Sequence, residues 1–151
     1  MSRPSLYDAV GGAPALLRLA AAHNARCLAD PVLEHPFSHG GHPEHVARLA
    51  AYWGEVLGGP AEFTAGCGGE SAVLALHAGQ GADDDLGERF AACFALALDD
   101  ADLPRDQELR AALRAYMDWA VREFMAVSPH GSVVPDGLSV PRWTFDGLAA
   151  R

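Results

Sequence analysis

The sequence predicts an all-α protein built on one hydrophobic core. Apolar residues recur at spacings of three and four around residues 13–29, 45–57, 88–98 and 106–127, which places them on one face of an α-helix. Glycine and proline clusters, such as Gly11-Gly12 and Gly58-Gly59-Pro60, fall between these segments and interrupt them. No segment shows the paired alternation of strands, and no internal repeat is visible.

Each element has its own signal. "SLYDAVGG" opens with a short helical turn over Ser5–Val10, stopped by Gly11 and Gly12. A second helix runs from about Ala13 to Ala29, with Pro14 in its first turn, where proline is tolerated. Its Leu16, Leu19, Ala20, His23 and Cys27 share a face. Pro31 and Pro36 in "ADPVLEHPF" end it. In "GHPEHVARLAAYWGEVLGGP", Pro43 opens a helix and Glu44 complements its positive end. His45, Leu49, Tyr52, Trp53 and Val56 form its stripe.

A loop containing "CGGE" follows, and Ser71 is expected to cap the short helix that ends in His77. Val73, Leu74 and Leu76 make that helix an apolar run. After the loop "GQGADDDLG", "ERFAACFALAL" is helical, with Phe90, Cys93, Phe94 and Ala97 on one face. The last long helix, about Asp106 to Val127, repeats Leu109, Leu113, Tyr116, Met117, Ala120 and Phe124. Prolines deny regular helix to the ending "VVPDGLSVPRWTFDGLAAR", but its Val140, Trp143, Phe145 and Leu148 should dock on the body. The expected division is a body over residues 1–127 and a docked tail over 128–151.

Half of the 151 residues are hydrophobic, which suits a globular chain of one domain. A net charge of −9 argues against nucleic acid and anionic membrane as partners. No apolar run reaches the roughly 18 residues of a membrane span. "MSRPSLYDAVGG" lacks the apolar core of a secretory signal. Cys27, Cys67 and Cys93 are odd in number and far apart, as reduced thiols of a cytoplasmic protein would be.

The histidines carry the chemistry. His35, His39, His42 and His45 crowd one segment, while His23, His77 and His130 stand apart. The crowded set reads either as a solvated loop or as a weak zinc signal, since no HExxH or persuasive carboxylate accompanies it. His45 leads an apolar stripe and His77 ends another. Each alone reads as a satisfied boundary or core histidine. Together they are suited to flank a flat apolar ligand, and imidazole is a normal ligand of haem iron.

At this point the sequence resembles the truncated haemoglobins. "SLYDAVGG", "LADPVLEHPFS", "HVARLAAYWGEVLGGP" and the later lone histidine follow the group II pattern in order. The ordered resemblance covers about residues 5–127, and the ending is closest to a subset with a C-terminal tail. It implies a two-over-two helical sandwich around one haem b. His77 matches the proximal iron ligand. His45 matches the distal position facing a bound gas, with Leu49 one turn later. Phe37, Tyr52, Trp53, Leu74 and Phe90 match positions around the haem, and Arg48 lies on the propionate side.

Two positions depart from the group II pattern. Where many members carry a tyrosine, this chain has Asn24, preceded by His23; either residue is a candidate to face the iron. Where many carry a tryptophan, it has Phe90, which has no N–H to donate.

The implied function is reversible binding of O2, CO and NO. The alternative is a haem oxidoreductase, an NO dioxygenase or a peroxidase-like enzyme, fed by an external reductase. No GxGxxG follows a strand, so the chain shows no dinucleotide site of its own. A third reading is a haem-free helical module holding zinc on the histidine cluster. The apolar tail is suited to cover either its own core or a second copy in a homodimer.

Overall fold

The computed structural model describes residues 3–34, 44–81 and 84–150. Among them are seven helices: α1 Leu6–Val10, α2 Gly12–Ala29, α3 His45–Val56, α4 Glu62–Gly66, α5 Glu70–His77, α6 Asp84–Asp100 and α7 Gln107–Ala126. The fold class is all-α, as expected.

Side-chain caps set two of the helix starts. Ser5 accepts from Asp8 N at 3.0 Å at the head of α1, and Asp106 accepts from Leu109 N at 2.8 Å at the head of α7. Such bonds satisfy backbone donors that have no partner within the helix.

Helix α2 packs on α3, α6 packs on α7, and α2 also crosses α6. The result is two helix pairs laid one over the other. Between them lies one core that includes Leu16, Leu19, Tyr52, Trp53, Phe94, Leu98, Leu113, Tyr116 and Met117. Burial of this set is the main stabilising term, at about 1.5–3 kcal/mol for each large side chain. A smaller cluster of Cys27, Leu33 and Cys93 lies between α2 and α6. All three cysteines are free thiols. No described helix is long and apolar enough to cross a membrane.

Three expectations need correction. First, the ending contains a strand pair: β1 Arg142–Thr144 and β2 Gly147–Ala150 are antiparallel, with Trp143 opposite Leu148. The two-residue turn Phe145-Asp146 runs into Gly147, whose φ of 112° suits glycine, and Thr144 Oγ1 accepts from Asp146 N at 3.1 Å. Asp-Gly between short apolar runs is a hairpin signal; on a three-residue strand it gives no visible alternation. Second, a short helix, α4, occupies part of the segment read as loop. Third, Leu76 is 75% exposed, so the apolar run before His77 buries only Val73 and Leu74.

The hairpin closes the body. β1 lies on α3 and β2 on α7. Trp143 is buried against Tyr116 and Trp119, each with ring centroids 5.8 Å away. Val140 is also buried, and Phe145 is partly buried against the core. Leu148 is 43% exposed and contributes less than its sequence pattern suggests.

Helix α3 ends ahead of Gly58, whose φ is 99°, and α1 is tied to it there. Tyr7 N donates to Leu57 O at 2.9 Å, and the Tyr7 ring lies on Gly59. A Cβ at Gly59 would meet Tyr7 Cε2 at 2.6 Å and Gly54 O at 2.8 Å. Gly59→Ala should therefore destabilise the fold by about 1–3 kcal/mol, the usual cost of overpacking. Urea denaturation should show a lower midpoint with an unchanged slope; a wild-type midpoint would refute the close approach.

Candidate functional site

Three histidines lie on three different helices. His77 is the last residue of α5, His45 the first of α3, and His23 lies in the middle of α2. His45 interacts electrostatically with both His23 and His77. The sequence separates these residues widely; in the fold α2 packs on α3, and α5 packs on α7.

His77 is held tightly. Its Nδ1–H donates to Val73 O, one turn back on α5, at 2.8 Å. That bond assigns the proton to Nδ1 and leaves Nε2 with an available lone pair. The ring stacks on Phe124 of α7, with centroids 4.3 Å apart and planes 12° from parallel. Burial lowers the proton affinity of the ring; the Val73 bond opposes this and His45 adds to it. His77 is therefore a neutral imidazole at pH 7, with one nitrogen prepared to bind a metal.

His45 is half-buried, and burial first, then the Arg48 guanidinium, pushes its pKa below the ordinary histidine value. It too is neutral at pH 7. Leu49, one turn further along α3, is partly buried against the core. Tyr52 is buried, and its hydroxyl donates to Glu70 Oε2 at 2.7 Å. Trp53 is buried and meets Phe94 edge-on at 5.2 Å.

Of the two adjacent candidates on α2, His23 is fully buried and Asn24 is half-buried. His23 Nε2–H donates to Phe90 O at 3.2 Å, and Cys27 Sγ lies 3.5 Å from the same nitrogen. Its Nδ1 is buried with no hydrogen-bond partner among the described residues. The ring is packed edge-on against Phe90 at 4.4 Å and tilted against Trp53 at 5.6 Å. Burial pushes the His23 pKa down to about 4, against the lesser effect of the Phe90 bond.

Leu74 is buried on α5, and Phe90 is half-buried on α6. Arg48 is half-buried beside His45. Phe37 lies outside the described residues, and so do His35, His39 and His42. Among the described residues, no group of three or more His, Cys, Asp or Glu side chains is placed to hold a metal ion.

Four side chains have roles at the site that their sequence pattern does not announce. Phe124 belongs to the α7 stripe, but nothing in its pattern says that it faces His77. Glu70 is 3% exposed and ties the head of α5 to Tyr52; an acidic residue at a helix start reads as a solvated charge. Glu55 is also buried. Its carboxylate accepts from Thr64 N at 2.9 Å and from the Thr64 hydroxyl, which binds α3 to α4. Ser71 is not the cap of α5. The cap position is Gly69, and Ser71 lies inside the helix with its hydroxyl turned to the tail.

The family model described as bacterial-like globin matches residues 5–123. Among solved structures, the chain is similar to the group II truncated hemoglobin from Bacillus anthracis at 18% identity, over 82% of this chain and 92% of that one, with a TM-score of 0.72. It is similar to a thermostable hemoglobin from the actinobacterium Thermobifida fusca at 24% identity, over 88% and 100%, with a TM-score of 0.67. The group II 2-on-2 hemoglobin from Agrobacterium tumefaciens gives 17% identity over 82% and 95%, with a TM-score of 0.69. No curated protein matches the sequence. The structural likenesses establish a common two-over-two fold.

The buried His23 predicts acid sensitivity. Its folded pKa, about 4, lies below its ordinary value of 6.5, so the unfolded chain binds the proton more readily. Stability is full above pH 6.5 and falls as the pH drops towards 4, by up to about 3 kcal/mol for this residue. His23→Phe should flatten that part of a urea-midpoint profile; a profile as steep as that of the wild type would show that other groups govern it.

Proposed function

The chain belongs to the bacterial-like globin family, and on that premise we propose that it holds haem b through His77 and reversibly binds O2, CO and NO. The observation that carries this reading is the state of His77. Its Nδ1–H is committed to Val73 O and its ring to Phe124. Nε2 is thus the metal-binding nitrogen of a neutral, oriented imidazole. A second hydrogen bond from the far ring nitrogen is what fixes and tunes a metal-ligating histidine. The residues present fit the group: haem supplies an iron that takes a diatomic gas at its open position.

The chain's own residues determine how firmly a gas is held. A polar diatomic ligand is stabilised by an N–H donor. The N–H of His23 is spent on Phe90 O, and its other nitrogen only accepts. We assign donation to His45, which matches the distal position of the family, with the Asn24 amide as a second donor. We assign Phe37, Leu49, Tyr52, Trp53, Leu74 and Phe90 to the apolar surroundings of the haem. Arg48 is assigned to a haem carboxylate, which a guanidinium binds in bidentate fashion. In this reading the globin body spans residues 1–127, and residues 128–151 form a tail docked on it.

The deciding experiment is the optical spectrum of the purified protein in ferric, ferrous and CO-bound forms. A Soret band that shifts on CO binding is expected; no band even after haemin addition would overturn the proposal. His77→Ala should lose most of its haem, as read by the Soret-to-protein absorbance ratio. His45→Leu should retain haem and release O2 about ten- to a hundred-fold faster, as expected for a lost hydrogen bond to a charged acceptor. An O2 off-rate equal to that of the wild type would move the donor role to Asn24.

A further inference from the structure

Helix α5 has only eight residues, and a helix of that length does not persist in water without tertiary contacts. Besides its packing on α7, α5 is hydrogen-bonded to the segment that follows α7. At its head, Ser71 Oγ donates to Pro135 O at 2.6 Å and accepts from Leu138 N at 2.9 Å. Glu70 N donates to Leu138 O at 3.2 Å. Gly69 permits this approach, because a Cβ there would meet Leu138 O at 3.1 Å. Beyond its tail end, Gly79 N donates to Val127 O at 2.9 Å and Gly81 N donates to Ser128 O at 2.7 Å. The His130 ring lies over Gly81, with Nε2 only 2.6 Å from where a Cβ would stand.

We propose that residues 127–138 form a clamp that grips α5 at both ends and so positions His77. Every member of the clamp lies beyond residue 123, where the match to the family model stops. Ser71 is the clamp's central positioning residue, since one hydroxyl both donates to and accepts from the tail. Fixing both ends of α5 fixes the carbonyl of Val73, and with it the direction in which His77 Nε2 points. The consequence for haem rests on the function proposed above; the consequence for α5 does not.

The test uses full-length Ser71→Ala and Ser71→Thr, with and without haemin. Hydrogen exchange of the amides of residues 70–77 in the haem-free protein reads the clamp itself. Haem transfer to excess apomyoglobin, and the iron–histidine Raman band of the ferrous protein, read its effect on His77. Ser71→Ala should speed exchange in α5 about ten-fold, as two lost hydrogen bonds imply, and leave α2 and α7 at wild-type rates. It should also accelerate haem transfer and shift the Raman band, while Ser71→Thr, which keeps the hydroxyl, stays close to wild type. Unchanged exchange in α5 would overturn the clamp. So would acceleration spread equally over α2, α6 and α7, which would mark a general loss of stability. If the wild-type protein takes up no haem, the proposed function fails, and the exchange result still decides the clamp.

Discussion

The site depends on one hydrogen bond, from His77 Nδ1 to Val73 O at 2.8 Å. An imidazole has two nitrogens that exchange roles with the proton, and this bond removes the ambiguity. It also sets the plane of the ring, which Phe124 then covers. Because the acceptor is a carbonyl of the same helix, the ring can be no better placed than α5 itself. The demand for an oriented donor nitrogen thus becomes a demand that a short helix be held still. The Tyr52 hydroxyl on the Glu70 carboxylate and the tail hydrogen bonds on Ser71 both meet it at the head of α5.

Burial acts on chemistry as well as on stability. It keeps His23, His45 and His77 neutral at pH 7 by penalising the charged form. Three mutually charged imidazoles in one apolar region would repel each other and destabilise the fold. Neutral, they divide their roles: the N–H of His77 and that of His23 both bind backbone carbonyls, which leaves each with one available lone pair.

Most of the fold was legible in the sequence because helix periodicity and helix stops are local signals. The stripes of α2, α3, α6 and α7 point inwards as their spacing requires. Ser71 was misjudged because Ser at a helix start usually caps it, and only the tail's approach shows that its hydroxyl has another use. The strand pair was missed because three- and four-residue strands carry too few alternations to register. Leu76 was misjudged because an apolar run on a short helix does not say which of its faces is covered. Phe37, His35, His39 and His42 lie outside the described residues, so the reading of that segment rests on sequence alone.

The sequence by itself determined the helical class and the principal helices, because periodicity, glycine–proline stops and motif order are written along one dimension. Tertiary structure alone decided that His23 faces inwards with its N–H spent, that Glu70 is buried against Tyr52, that Phe124 covers His77 and that the tail holds α5. Each of these is a contact between residues on different elements. Their partners are chosen by helix rotation and packing, since adjacent residues on a helix point about 100° apart, and that rotation is set only when the whole core closes.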